Sequence, residues 1–169
     1  NLEVYLTDDG STDNTSSILR NEFPQVKVIQ GNGSLFWNRG MISAWKAATS
    51  SSDFDFYLWL NNDTYLYPNA LKTIFNDLKN IKSKSIVVGI TEDKNKLTYG
   101  GRNDLKGNIL SPIGIPQKVK YINGNFVLIP IGIIRDIGIL SDDYTHAMGD
   151  FDYGLNALRN GYNLVTTKT

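Results

Sequence analysis

The sequence predicts a single α/β domain with a mostly parallel central sheet flanked by helices and mixed strands in its second half. Three observations point there. Short apolar runs alternate with stretches of helical periodicity through the first half. The runs at 56–60 and 86–90 are apolar throughout, as expected of strands covered on both faces. The chain has 169 residues, 41% of them hydrophobic, enough for one real core.

The elements follow in order. "EVYLT" at 3–7 reads as a strand that stops at Asp8-Asp9-Gly10-Ser11. Ser11 or Thr12 can cap a helix that runs to about Arg20, with Ile18 and Leu19 apolar. Val26 to Ile29 is the next strand, closed by the turn cluster "QGNGS". A helix over 39–49 puts Ile42, Trp45 and Ala48 on one face. Strand 55–60 then runs into Asn61-Asn62-Asp63. Leu71, Ile74, Phe75 and Leu78 fall at i, i+3, i+4, i+7, which predicts a helix after Pro68. Residues 85–90 form another strand. Residues 97–122 mix strand-like pieces with Gly, Asn and Pro, and "VKYINGNFVLIP" reads as strand, turn, strand. A short helix is expected over 130–138. Another over 150–162 has Phe151, Leu155 and Leu158 on one face and Gly161 as its stop. The chain opens on a strand without Met and closes on "NLVTTKT", a strand beginning, so it reads as a piece of a longer protein.

Composition removes several classes of function. Seventeen basic residues balance seventeen acidic ones, so neither a nucleic-acid face nor a patch for anionic membranes is indicated. There is no cysteine, which excludes disulfides and thiolate metal sites. No apolar run reaches the roughly 18–20 residues of a membrane span. No Walker-type GKS or GKT is present, and "DDGSTD" lacks the spacing of a calcium-binding loop.

Three acidic clusters sit at element boundaries. In an open α/β sheet, ligands bind beyond the carboxyl ends of the strands, and Asp8, Asp9 and Asp63 are expected on one such rim. "DDGSTD" is either a turn with a helix cap or a polar pocket, in which an Asp accepts from a nucleobase and Gly10 lets the backbone come close. "NNDT" at 61–64 is either a strand terminator or a hard-cation site. In the second case Asp63 gives a carboxylate, Asn61 an amide oxygen, and substrate phosphates complete the set. In "GDFDYGLNALRNGY", Asp150 and Asp152 either favour a helix N-terminus or provide a general base for an acceptor hydroxyl. His146, the only histidine, is either a surface residue or a metal or phosphate contact. Arg39, between a strand and a helix start, can meet a diphosphate, and Arg102 in "YGGRN" can serve a sugar or phosphate.

The ordered set is more specific than any one cluster. A strand ending in DDGSTDNT, a hydrophobic strand ending in Asn61-x-Asp63, then "NGNFVLIPIGIIRDIGILSDDY" and "GDFDYGLNALRNGY" together resemble the family 2 glycosyltransferases, with a GT-A-type nucleotide-sugar-binding fold. The rhamnosyltransferase-like branch looks nearest. The resemblance runs from Glu3 to about Val165. It implies one glycosyltransferase domain over 1–169, with a nucleotide-binding half at 1–95 and an acceptor-binding half at 96–169. It implies that Asp9 contacts the base, with Asp8, Gly10, Ser11, Asn38 and Arg39 also in the nucleotide pocket. Asp63 matches the last Asp of the family's D-x-D motif, which holds Mg2+ or Mn2+ on the diphosphate, with Asn61 in place of the first Asp. Asp150 matches the Asp of the "ED" motif and is the implied base. Gly149 stands where that motif has Glu. Asn62, Arg102, Gly124, Asn125, His146 and Asp152 are the implied donor or acceptor contacts. The family's usual first strand is missing from the chain.

The implied activity is inverting transfer of a sugar from a UDP-, dTDP- or GDP-sugar to a glycan or lipid-linked acceptor, in surface polysaccharide or cell-envelope synthesis. The implied location is cytoplasmic or peripheral on the inner face of the cell membrane. Two other readings stay open. One is a nucleotidyltransferase, the other a degenerate domain that binds nucleotide or glycan without catalysis.

Overall fold

The computed structural model describes residues 2–81 and 84–169. The chain groups into two compact units, Asn1–Phe54 with Ile139–Gly149, and Asp55–Gly138 with Asp150–Thr169.

The first unit is built on two parallel strands, β1 (Tyr5–Asp8) and β2 (Lys27–Gln30), joined through helix α1 (Thr15–Glu22). Helix α2 (Phe36–Ser51) follows. The predicted stripe Ile42, Trp45 and Ala48 is the buried face of α2, and the helix packs on β1. There the Thr7 hydroxyl donates to the Gly40 carbonyl at 2.7 Å. Both helices start elsewhere than the sequence suggests. Helix α1 begins at Thr15 because the preceding residues are drawn into a loop around Asp8, whose carboxylate accepts the Ser11 N–H at 2.9 Å and the Ser16 hydroxyl. Helix α2 begins three residues early because Asp9, far back in the chain, accepts N–H groups at its first turn.

The second unit holds β3 (Phe56–Leu60), α3 (Ala70–Asn80), β4 (Ser85–Val88), β5 (Thr91–Asp93), β6 (Lys96–Tyr99), β7 (Gly101–Arg102), β8 (Lys118–Val119), β9 (Tyr121–Ile122), β10 (Phe126–Pro130), α4 (Ile131–Ile137) and β11 (Asn163–Thr166). Helix α5 (Gly149–Arg159) contributes all but its first residue. Five strands form one sheet in the order β3-β10-β4-β11-β8. β3, β4 and β11 run one way, while β10 and β8 run against them. β10 therefore sits antiparallel between two strands that share a direction. β5 with β6, and β7 with β9, form separate two-stranded sheets.

Ile74, Val87, Phe126, Leu128 and Val165 make the core of this unit, with Leu58 and Leu78 packed against them. Each such side chain contributes roughly 1.5–3 kcal/mol by leaving water. On α3 the stripe is turned toward Ile74, and Phe75, 39% exposed, meets the Phe56 ring edge-on at 5.4 Å. Helix α5 stops where Gly161 takes φ +82°, a conformation that glycine adopts without steric cost. No helix among the described residues is long and apolar enough to cross a membrane.

Candidate functional site

In the first unit the two adjacent aspartates do different work. Asp8 ends β1 and is 3% exposed. The side chains of Ser11 and then Ser16, with the Ser11 N–H, hold its carboxyl down to about 2. Because the folded pKa lies below the ordinary 3.8, the contribution of Asp8 is complete above about pH 4 and is lost as pH falls toward 2. Asp8→Ala should cost about 2 kcal/mol at neutral pH, with little left of that difference near pH 2. Denaturant titrations of both proteins across that range check it. A difference independent of pH would count against the assignment.

Asp9 is half-buried, and it accepts the N–H groups of Gly33 at 2.8 Å, Leu35 at 2.8 Å and Phe36 at 3.1 Å. Burial pulls its pKa up, but the N–H donors of Gly33, Phe36 and Leu35 outweigh burial and leave it lowered. Three acceptor positions are thus occupied within the protein, out of about four that a carboxylate offers. Gly10, at φ +77°, lies so close to Gly33 that an added Cβ would meet its Cα at 3.0 Å. Gly10 and Ser11 are exposed, and so is Arg39.

Asn38, next to Arg39, is fully buried. Its backbone N–H donates to Thr145 O at 3.1 Å, and Nδ2 donates to Ser141 O at 2.9 Å and Tyr144 O at 2.7 Å. Its Oδ1 is buried without a partner and faces Gly149, where a Cβ would lie 1.8 Å from it. Asn38 is therefore a clasp on the 141–149 segment. His146, on that segment, is exposed and lies against Phe36, with ring centroids 5.9 Å apart. Phe36 is itself 57% exposed at φ 55°, an unusual conformation for a bulky residue. Nothing in the sequence marked Phe36.

In the second unit, the turn 123–125 connects most of the expected residues. Asn61 follows β3 and donates its backbone N–H to Asn125 O at 3.1 Å, continuing the β3–β10 register beyond Leu60 and Phe126. Gly124 donates its N–H to Asp150 Oδ2 at 2.9 Å, and the Phe151 N–H donates to Asp150 Oδ1 at 2.9 Å. Asn123 Oδ1 accepts from Arg102 Nη2 at 2.7 Å. The Arg102 guanidinium lies 5.7 Å from the Phe151 ring centroid, and that ring also meets Tyr121 at 5.7 Å. Burial pushes the Asp150 pKa up, and the Gly124 and Phe151 N–H groups and the Arg102 charge oppose it without cancelling it. Asp152, one turn into α5, is half-buried. Asn123 and Tyr121 are the members that the sequence did not single out, and Phe151 was expected only on the apolar face of its helix. Asn123 stands beside Gly124 in "INGN", so adjacency was the available clue.

Asn62 and Asp63 are exposed beyond the end of β3. Asp63 has no hydrogen-bond or ion-pair partner among the described residues, and those residues hold no cluster of three or more metal-ligating side chains. One free carboxylate beside an amide is an all-oxygen donor set. It fits a hard cation that brings phosphate oxygens with it, and it does not make a closed cage.

The Glycosyl transferase family 2 model matches residues 1–153. The chain belongs to that family. This glycosyltransferase chain is 28% identical over 165 residues to a hyaluronan synthase of Streptococcus pyogenes, covering 79% of this chain and 39% of the relative. It is 25% identical over 167 residues to an uncharacterized glycosyltransferase of Rickettsia typhi, covering 94% and 50%. The chain thus spans at most half the length of these relatives. Among solved structures it superposes on GalNAc-T7, crystallised with UDP, GalNAc and Mn2+, with a TM-score of 0.73 at 13% identity, covering 98% of this chain and 36% of that one. It superposes on Staphylococcus aureus TarS 1–349 with a TM-score of 0.61 at 14% identity, covering 98% and 50%. These are GT-A glycosyltransferases, and the mixed α/β fold is theirs.

Proposed function

We propose that this glycosyltransferase transfers a sugar from a nucleoside diphosphate sugar to an acceptor hydroxyl with inversion, in the synthesis of surface polysaccharide or another cell-envelope glycan. We place it in the cytoplasm or on the inner face of the cell membrane. The observation that supports the reading most is Asp150, a carboxylate held by the Gly124 N–H at 2.9 Å and pushed by burial toward higher pKa. That combination suits a group whose task is to take a proton.

In the proposed step Asp150 takes the proton of the acceptor hydroxyl. The acceptor oxygen bonds the anomeric carbon from the face opposite the diphosphate, and the carbon–oxygen bond to the diphosphate breaks with its electron pair leaving on the nucleotide. Charge builds on the sugar ring as in glycoside hydrolysis. Asp63 with Asn61 would hold Mg2+ or Mn2+, which would supply charge neutralisation for the leaving diphosphate. Gly10, Ser11 and Arg39, all exposed, are assigned to direct nucleotide contact. Asp8 and Asn38, both buried, are assigned to shaping the loops around it. Asn62, Asn125, His146 and Asp152 remain assigned to donor or acceptor.

The test is a donor screen over UDP-, GDP- and dTDP-sugars, dTDP-rhamnose included, with and without Mn2+. Transfer predicts release of nucleoside diphosphate, whereas pyrophosphate exchange would identify a nucleotidyltransferase. Asp63→Asn should weaken nucleotide binding about tenfold when Mn2+ is present and leave it unchanged without metal, as calorimetry with UDP would read. Equal loss in both conditions would remove Asp63 from the cation site. A second reading, binding without catalysis, is favoured by Gly149 in place of the family's Glu, with Asn38 filling that space. Nucleotide binding with no turnover on any donor would select it.

A further inference from the structure

Arg102 stands in a setting that its neighbours leave incomplete. It lines a hollow of about 430 Å³ together with Leu97, Thr98, Gly107, Asn108 and Ser111. One terminal nitrogen donates to Asn123, but Nε is buried without an acceptor. Among the described residues no carboxylate lies within ion-pair distance of it. The surrounding segment is cationic in a chain that is neutral overall: residues 91–122 carry six Lys and Arg against three Asp and Glu, and the rest carries eleven against fourteen. Removing part of a guanidinium from water with no carboxylate in ion-pair contact is costly, even with the Asp150 charge acting on it from further off, and an arriving anion offsets that cost with charge-assisted hydrogen bonds. The neighbours are also placed for chemistry. Asn123, gripped by Arg102, is followed by Gly124, whose N–H holds Asp150.

We infer that this hollow is an acceptor subsite that reads an anionic group, a carboxylate or a phosphate, through Arg102. The inference deepens the transfer reaction proposed above and rests on it. An arginine fork suits both anions, because each presents paired oxygens. Thr98, Asn108 and Ser111 supply polar groups suited to sugar hydroxyls.

Heteronuclear NMR of the Arg102 Nε–H tests it on the whole chain, with four titrants. Methyl glucuronide is compared with methyl glucoside, and glycerol phosphate with glycerol. The expected result is that one of the two anions shifts this signal to saturation, about tenfold or more tighter than its neutral counterpart. The responding anion distinguishes uronic from phosphorylated acceptors. The variants carry no arginine Nε–H, so the backbone amide signals of Asn123 and Gly124 report on them: Arg102→Gln should abolish the preference, and Arg102→Lys, which keeps the charge without the fork, should retain only part of it. If Arg102→Gln does not fold, the lysine variant decides. Equal binding of neutral and charged titrants, or no response to either anion, overturns the subsite. Calorimetry with UDP and Mn2+ on the same sample tests the donor reading separately. Silence to UDP, and to GDP and dTDP titrated in the same way, with a responding Nε–H sinks the transferase and leaves an anion-binding site with no acceptor role. A working donor site with an unresponsive Nε–H sinks the subsite alone.

Discussion

Asp150→Asn should reduce sugar transfer by about a hundred- to ten-thousand-fold, the range expected when a general base is removed, and leave nucleotide affinity near that of the parent. The amide keeps an oxygen for the Gly124 N–H, which donates to Oδ2 at 2.9 Å, so the 123–125 turn should stay in place. The parent's pH profile gives an independent check. Burial raises the Asp150 pKa, and the base must be ionised to act. Activity should therefore rise with pH through a limb lying above the ordinary carboxylate range. The stability effect has the opposite sign. A group whose folded pKa is raised favours the folded state while protonated, and that advantage is lost as pH rises through the folded value. Asp150→Asn should thus be no less stable than the parent at neutral pH. Parent-like turnover in the variant, or an acid limb at ordinary carboxylate pH, would remove Asp150 from the role.

The largest structural effect is expected at Gly149. A single methyl there would fall 1.8 Å from Asn38 Oδ1, far inside contact distance. The obstructing atom belongs to a side chain, but that side chain is fully buried and its Nδ2 is engaged by Ser141 O and Tyr144 O. Moving it aside breaks two buried hydrogen bonds, so Gly149→Ala should cost about 3 kcal/mol. Asn38→Ala should cost about 2 kcal/mol for the carbonyls it abandons. The double variant should be less damaging than the two losses added together, because the second methyl enters space that the first change empties. Thermal or denaturant unfolding of the four proteins reads this coupling. Strict additivity would mean that the two positions do not share that space.

These cases show where the sequence was legible and where it was not. The existence of α3, β3 and β4 and the Gly161 stop are readable because each depends on neighbours a few residues apart. Cover on both faces holds for β4 and not for β3, where Phe56 and Leu60 are exposed, and on the α3 stripe Leu71 and Phe75 are exposed while Ile74 is buried. The start of α2 is not readable, because the group that caps it, Asp9, lies more than twenty residues away. The place of β10, antiparallel between β3 and β4, follows from sheet pairing and not from chain order. The β5–β6 hairpin was hidden for a local reason. Its turn puts Lys94 and Asn95 at φ 47° and 64°, where an Asn-Gly pair would have announced it. At the candidate site, carboxylates at element ends single out Asp63 and Asp150, whose roles are the ones proposed above. Asn38 looked like a ligand contact because burial cannot be read from a residue that is polar and adjacent to an exposed arginine. Asn123, in the turn after β9, is unmarked because its partner, Arg102, lies on β7, 21 residues earlier in the chain.

That hairpin has a consequence for how such a protein can change. Its two strands pair with each other in their own small ladder, and no strand of the five-stranded sheet pairs with them. Insertions or substitutions there leave the pairing of β3 with β10, and so the seat of Asn61 and Gly124, without a shift of register. The segment beside the Arg102 hollow can vary as an exchangeable cartridge: selection, or a designer, can reshape that hollow while the contact of Gly124 with Asp150 is inherited intact.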